Sequence, residues 1–195
     1  KEGAQRILAD QNSDGGWGTV HDTAFALLFL ARGRHPVLMN KLQYPGAWNN
    51  RPRSLATLTD WFSQTLEKNV NWQIIHLQTP VKEWHDASIL HITGHSNIDL
   101  DEKDIEKLRT YVLQGGTIFS VQEGRSGTFG GDIRRLYKKM FPEYELKLAR
   151  PDHPIYKAHY TLRGQPRFYE LHNGIRPLVL HTDEDITVSW QTQAS

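Results

Sequence analysis

Two residues able to move protons, His95 and Glu123, each follow a predicted strand of the chain. Parallel strands end at the same edge of a sheet and lie about 4.8 Å apart, so the spacing predicts that this imidazole and this carboxylate lie side by side. A histidine and a glutamate that reach one substrate atom or one water act as general base and general acid. One hypothesis is therefore a hydrolase or lyase that uses His95 and Glu123.

The loops after three of the predicted strands also supply a set of groups suited to binding. They combine apolar, basic and acidic side chains with flexible backbone, which favours a small polar or sugar-like ligand. The candidate ligand-binding residues are Gly46, Trp48, Gly94, His95, Ser96, Gln122, Glu123, Arg125 and Gly127. The alternative is that His95 and Glu123 only satisfy loop backbone groups and each other.

A third interpretation gathers His95, Glu123, Asp132 and His153 into a metal or acid/base cluster, because histidine and carboxylate are ordinary ligands and proton shuttles. Their spacing follows no tight metal signature, so we predict no metal. The glycine-rich loop 124–131 lacks the Gly-Lys-Ser/Thr ending of a phosphate loop. We accordingly predict no cofactor.

Composition excludes several classes of protein. The 195 residues carry 23 Lys and Arg against 22 Asp and Glu, so net charge gives no reason to expect a nucleic acid as partner. The absence of cysteine excludes a disulfide scaffold, a thiolate nucleophile and Cys-ligated zinc. The longest apolar run, 24–31, is far short of the ~20 residues of a membrane span. No membrane span is expected in this segment.

Strand-like and helix-like patterns alternate from Val37 onward, which is typical of a mostly parallel sheet with helices on both faces. We therefore predict an α/β doubly wound fold, in which ligands bind beyond the carboxyl ends of the strands. The first four strands should be ordered 2-1-3-4. Those strands are expected at 38–44, 72–77, 88–93 and 117–121, with helices at 54–68, from 101 and at 133–140, and at least three further strand-like runs after 144. Ser54 is expected to cap the helix at 54–68, and Asp101 with Asp104 forms a capping-box variant at the start of the next one.

The first 36 residues have a different pattern, a short helix and a tight turn followed by a second helix at 23–32. We expect Asp22 to cap the second helix and Gly33 to end it in a left-handed conformation. This helix is apolar on nearly every face, so it needs neighbours on nearly every face. Part of its packing shell is therefore expected outside this chain.

The first helix and turn contain Gln11 and the sequence Asp14-Gly15-Gly16-Trp17-Gly18. This stretch resembles the Gln-Trp repeat of squalene and hopene cyclases and their prenyltransferase-like relatives. The resemblance implies that residues 1–36 are the last helices of such a repeat, with adjacent helical repeats of the same full-length protein as partners. Thr19 and His21 stand where the cyclases carry the aspartates that start cyclisation, so cyclase chemistry is not expected.

Residues 37–195 resemble a bacterial family of unknown function whose fold is similar to the flavodoxin-like class I glutamine amidotransferase domain. In amidotransferases a nucleophilic cysteine follows the strand that matches 117–121, and here Gln122-Glu123-Gly124 stands in its place. Glutamine hydrolysis is therefore excluded. The residues that carry the resemblance are Asn40-Lys41-Leu42, Tyr44, Ile92-Thr93-Gly94-His95, Leu100-Asp101-Glu102, Leu108-Arg109, Tyr111-Val112, Gly115-Gly116 and Asp152-His153-Pro154-Ile155-Tyr156.

These observations favour a non-catalytic ligand-binding or assembly module of a larger bacterial protein. The alternative is the hydrolase or lyase that uses His95 and Glu123. The residues themselves do not indicate a compartment, whereas the family resemblance is consistent with the cell envelope.

Overall fold

A computed structural model describes residues 2–33, 35–158, 160–162, 164 and 166–192. A seven-stranded sheet with helices on both faces follows two N-terminal helices. The elements are α1 Glu2–Ala9, α2 Val20–Arg32, β1 Val37–Gln43, α3 Ser54–Thr65, β2 Asn71–His76, α4 Val81–Trp84, β3 Ile89–Gly94, α5 Glu102–Leu113, β4 Thr117–Gln122, α6 Phe129–Met140, β5 Leu146–Leu148, β6 Phe168–His172, β7 Pro177–Thr182 and α7 Thr187–Thr192. Among the described helices, none has the length and apolar character needed to cross a membrane.

The strand order is β2-β1-β3-β4-β7-β6-β5. The pairs β1–β2, β1–β3, β3–β4 and β4–β7 are parallel, whereas β6 is antiparallel to both β7 and β5. The predicted order 2-1-3-4 is confirmed, because β1 lies between β2 and β3. The doubly wound α/β fold is confirmed as well.

The main hydrophobic core lies between one face of the sheet and helices α5 and α6. Leu90 and Ile92 of β3 meet Leu108 of α5 and Ile133 of α6, and all four side chains are fully buried. Burying a side chain of this size contributes about 1.5–3 kcal/mol. This face of the sheet therefore supplies much of the stability of the domain.

The opposite face is covered by α3 and α7 and contains polar residues among aromatic ones. The His91 ring lies 5.3 Å from the Phe119 ring and 5.9 Å from the Trp190 ring. Its Nδ1 donates to the Phe119 carbonyl at 3.0 Å, and its buried Nε2 has no partner among the described residues. Burial, with the charge of Lys41 adding to it, lowers the pKa of His91 to about 3. His91 is therefore a neutral residue of the core.

Three predicted helix-end details are wrong. Thr19, not Asp22, is the N-cap of α2, and Asp22 completes a capping box by accepting from the Thr19 backbone N–H. Gly33 is right-handed, with φ −65°. Ser54 does not cap α3, because its hydroxyl donates to the Arg51 carbonyl at 2.8 Å. Several polar groups stand close to each helix end, so spacing alone did not identify the one that forms the cap.

Helix α2 remains largely uncovered within the described chain. Ala26 is buried, but Val20 is 84% exposed and Leu27 is 55% exposed. Phe25, Leu28 and Phe29 are also more than half exposed. The helix therefore lacks, in the described residues, the packing shell that its apolar sequence requires.

Replacing His91 with leucine should reduce the loss of stability on acidification. The unfolded imidazole has a pKa of ~6.5 and the folded one about 3, so the unfolded state binds more protons between these values and stability falls as the pH falls. Between about pH 7 and about pH 5 the wild type should lose about 2 kcal/mol more than His91→Leu, measured by urea unfolding. Phe119→Leu disturbs the same packing without removing a titrating group, so it should retain the wild-type pH dependence. Identical pH dependence in His91→Leu would contradict the assignment.

Candidate functional site

The carboxyl ends of β3 and β4 bring His95 and Glu123 to the same level of the sheet. Gly94 pairs with Gln122 in the parallel register. The next residue continues this pairing, because the Glu123 N–H donates to the Gly94 carbonyl at 2.7 Å. His95 and Glu123 therefore follow adjacent strands at equal height, but the imidazole contacts the Glu123 carbonyl and not the carboxylate that the sequence placed beside it.

The His95 imidazole contacts the main chain of Glu123. Its Nδ1 lies 2.8 Å from the Glu123 carbonyl oxygen, and because a carbonyl only accepts, Nδ1 carries the proton. The ring is close to the following loop as well: a Cβ on Gly124 would lie 2.7 Å from His95 Nδ1, and one on Gly127 would overlap the His95 carbonyl. Both glycines therefore allow the loop to pack against His95, which is itself exposed.

The carboxylate of Glu123 points into the protein, where the residue is only 1% exposed. Its Oε2 accepts from Asn50 Nδ2 at 2.7 Å, whereas the buried Oε1 has no hydrogen-bond partner among the described residues. The neighbouring Thr93 hydroxyl donates to the Trp48 carbonyl at 2.9 Å. Burial raises the pKa of Glu123, although the Asn50 hydrogen bond, the charge of Lys41 and the nearby Thr93 hydroxyl oppose the rise.

Lys41 supplies the positive charge that opposes Glu123 in this site. Lys41 was not among the site residues that the sequence predicted. It is 1% exposed, and its Nζ donates to Asn49 Oδ1 at 2.8 Å and to the Arg51 carbonyl at 3.3 Å. The ammonium lies 5.7 Å from the centre of the Trp48 ring. Burial lowers the pKa of Lys41, and the charge of Glu123 opposes this. The available signal was a lysine in the middle of a strand, a position that is seldom charged unless it is paired.

Asp185 connects the loops around Glu123. Its Oδ2 accepts from Arg51 Nη2 at 3.1 Å and from the Gly124 N–H at 2.7 Å. Its Oδ1 accepts from the Thr187 hydroxyl at 2.7 Å. This single carboxylate therefore joins the β1–α3 loop, the β4–α6 loop and the start of α7.

Two backbone N–H groups of the glycine-rich loop 124–131 are already bonded to side chains of the protein. Gln122 Oε1 accepts from the Gly130 N–H at 2.8 Å, and Gln122 Nε2 donates to the Gly124 carbonyl at 3.2 Å. The Gly124 N–H is already bonded to Asp185. Protein groups thus occupy positions that an anion would need.

A second polar chain crosses the other face of β4. Ser120 Oγ lies 2.8 Å from His181 Nδ1, and His181 Nε2 lies 3.1 Å from Asp183 Oδ1. Arg134 forms two hydrogen bonds with the same carboxylate, at 2.8 and 2.9 Å. Ser120 and His181 are completely buried, so a substrate cannot reach the hydroxyl. Despite residue types that resemble a nucleophilic triad, this chain connects β4, β7 and α6.

The other predicted residues lie around this centre. Gly46 is in the β1–α3 loop with φ +131°, and Trp48 is half-buried against the core. Ser96 and Arg125 are exposed at the strand ends. None of these four residues forms a hydrogen bond with the Glu123 carboxylate in the described part of the chain.

The proposed four-residue cluster is not assembled. His153 Nε2 lies 3.1 Å from Glu170 Oε2, and Asp132 forms an ion pair with Arg135. No group of three or more histidines and carboxylates in the described residues has an arrangement able to hold a metal ion.

Two neighbouring glycines of α6 test whether Gln122 and Asp183 are tightly packed. A methyl group at Gly130 would overlap both side chains, so Gly130→Ala should lower the free energy of unfolding by about 1–3 kcal/mol. Gly131 is exposed, and a methyl group there would come no closer than 3.8 Å to another group, Arg135 Nη1. Gly131→Ala should therefore raise the free energy of unfolding by about 1 kcal/mol, because alanine favours the helix. Urea unfolding measures both changes. Equal effects of the two substitutions would show that the packing against Gly130 is loose.

Comparison with known proteins assigns most of this chain to a protein family. A search of curated proteins finds no match. A solved structure, rubredoxin oxygen:oxidoreductase from Desulfovibrio gigas, is similar at 13% identity with a TM-score of 0.32 over 62% of this chain. The alignment covers 32% of that chain, so the present chain matches about a third of its length. A family profile matches residues 39–192. The chain belongs to the family described as Domain of unknown function (DUF4159).

Proposed function

We propose that the α/β domain is a non-catalytic ligand-binding module of a larger bacterial protein, with its ligand site at the carboxyl ends of β1, β3 and β4. One observation carries this proposal: the buried Oε1 of Glu123 has no partner among the described residues. An unsatisfied buried carboxylate oxygen is costly. A ligand O–H or N–H that donates to Oε1 removes this cost.

The surroundings of Glu123 favour a small polar or sugar-like ligand. Asn50 donates to the other carboxylate oxygen, and Lys41 adds a buried positive charge. The β1–α3 loop covers both charges, while Asn49 and Asn50 are exposed at its surface. Opening of this loop would give a ligand access to Oε1, with His95 at the edge of the opening.

The position of His95 supports a non-catalytic site. Its protonated Nδ1 is bonded to the Glu123 carbonyl and not to the carboxylate. A general acid and base must reach one substrate atom or one water. The imidazole and the carboxylate hydrogen-bond to different partners, and the cysteine of the amidotransferases is absent from the sequence.

The hydrolase or lyase remains a second candidate because of one specific observation. In the neutral imidazole of His95 the proton is on Nδ1, so Nε2 carries the lone pair that a base needs, and the residue is exposed. Burial raises the pKa of Glu123, as a general acid requires. Catalysis would need a ligand that spans both groups.

Residues 1–36 are proposed to be the last helices of a cyclase-like repeat, whose adjacent repeats cover the face of α2 that carries Val20 and Leu27. Support comes from the turn after α1, where Gln11 Nε2 donates to the Gly15 carbonyl at 2.8 Å and Trp17 Nε1 donates to the Ile7 carbonyl at 2.5 Å. The Trp17 N–H donates to the Thr23 hydroxyl at 2.9 Å. Trp17 thus joins α1 to α2, and Gln11 closes the turn between them.

Screening a panel of sugars, polyols, amino sugars and amino acids by ligand-observed NMR tests the binding site. We expect at least one compound to bind, and Glu123→Gln to weaken its binding about tenfold, because a lost charged hydrogen bond costs about 1.5–3 kcal/mol. The matched control Glu106→Gln changes an exposed carboxylate on α5 and should bind normally. An empty screen, or equal binding by Glu123→Gln, would refute the proposal. Turnover of a hit that is lost in both His95→Ala and Glu123→Gln would favour the enzyme.

The same variant has a stability readout that does not require a ligand. The raised pKa of Glu123 means that the folded state binds more protons above the unfolded value of ~4.3, so wild-type stability falls as the pH rises through that window. Glu123→Gln should therefore be more stable than the wild type at about pH 7, with a smaller difference at about pH 4. A loss of stability at neutral pH would show that the ionised carboxylate is well compensated.

The exposed face of α2 provides the test of the N-terminal proposal. The chain should bind a dye specific for exposed apolar surface, and the double variant Val20→Ser, Leu27→Ser should reduce the fluorescence without lowering Tm. Ile175 is 89% exposed in a turn, so Ile175→Ser is the control and should leave the fluorescence unchanged. A chain that binds no dye would contradict a missing packing partner.

A further inference from the structure

A groove of about 1290 Å³ lies between the N-terminal helices and the start of β1, β2 and α3. It lies apart from the carboxyl ends of the strands and shares no lining residue with the site around Glu123. Four aromatic side chains line it: Trp17, Phe25, Phe29 and Trp72. Whatever binds there therefore binds independently of the proposed ligand site.

The wall that α2 contributes to the groove is apolar and uncovered. Phe25 is 72% exposed, Leu28 is 66% exposed and Phe29 is 52% exposed. Phe25 and Phe29 are four residues apart and lie on one side of the helix, whereas Val20 and Leu27 lie outside the groove lining. Contiguous exposed apolar surface of this kind marks interaction sites in soluble proteins. The groove wall is consequently a second apolar face of α2, distinct from the one tested above.

Acidic side chains accompany the aromatic ones. Asp10, Asp22 and Asp60 line the groove, and its described lining contains no lysine or arginine. Hydrogen bonds from Thr19 lower the pKa of Asp22, which keeps it ionised. The whole chain carries a net charge of only +1, so this excess of negative charge is local. A complementary occupant must carry positive charge beside apolar groups.

We propose that this groove docks a basic amphipathic helix of a partner protein. The volume corresponds to roughly three turns of a helix of about 10 Å diameter, and it exceeds the range of about 300–1,000 Å³ of small-molecule pockets. Apolar residues at helical spacing on the partner contact Phe25 and Phe29, as in other helix-in-groove complexes. Lysine or arginine residues beside that stripe lie near Asp10 and Asp60.

The test is a display library of random peptides, each long enough for about four helical turns, selected on the 195-residue chain. Selected peptides should be enriched in Lys and Arg and should carry Leu, Ile or Phe at helical spacing. Phe25→Ser should weaken the best peptide at least about tenfold, because a large contact residue is lost. Asp10→Asn with Asp60→Asn should weaken it about fivefold at low salt and less at high salt.

Matched controls use residues outside the groove. Leu113→Ser changes an apolar residue that is 61% exposed, and Asp99→Asn changes an exposed carboxylate, so both should bind the peptide like the wild type. Circular dichroism checks that Phe25→Ser keeps its helices. Selection of acidic or neutral peptides, an absence of binders, or equal weakening by the controls would overturn the proposal. Self-association of the wild type that Phe25→Ser abolishes would overturn it too, because the occupant would then be a second copy.

Discussion

The carboxyl edge of the sheet is organised around two opposite charges that are removed from water. Lys41 and Glu123 are each 1% exposed on the same face, and neither is satisfied by the strands that carry them. Burying ions requires hydrogen bonds from elsewhere, and here the loops supply them: Asn49 and the Arg51 carbonyl for the ammonium, Asn50 for the carboxylate. The conformation of the β1–α3 loop is therefore tied to these charges.

The same strand, β4, faces two polar environments because successive side chains point to opposite faces. Ser120 points towards the α5 and α6 side, where it meets His181, and Glu123 points towards the α3 and α7 side. Asp183 and Asp185, two residues apart after β7, serve one environment each. The turn after β7 thus anchors both faces at once, which explains why so few residues hold the strand ends together.

Sequence patterns were sufficient for the features that depend on periodicity, whereas capping was predicted correctly at α5 and wrongly at α2 and α3. Alternating strands and helices predicted the order 2-1-3-4, and Asp101 does cap α5 by accepting from the Asp104 N–H at 2.8 Å. They also placed His95 and Glu123 at equal height. They did not predict that His95 bonds the main-chain carbonyl of Glu123, because this depends on the carboxylate turning inward to Asn50. Lys41 and Asp185 were missed because their roles come from tertiary contacts between distant loops.

The two ends of the described sheet differ in what they offer to another chain. At one end, β5 has only three residues and its central Lys147 is exposed, which discourages the addition of a strand. At the other end, β2 presents six residues without proline or charge. A sheet that can be extended at one edge alone joins two copies in a closed pair, whereas a fibre needs both edges open. Pairing of β2 with β2 of a second molecule would thus give a dimer and no larger assembly.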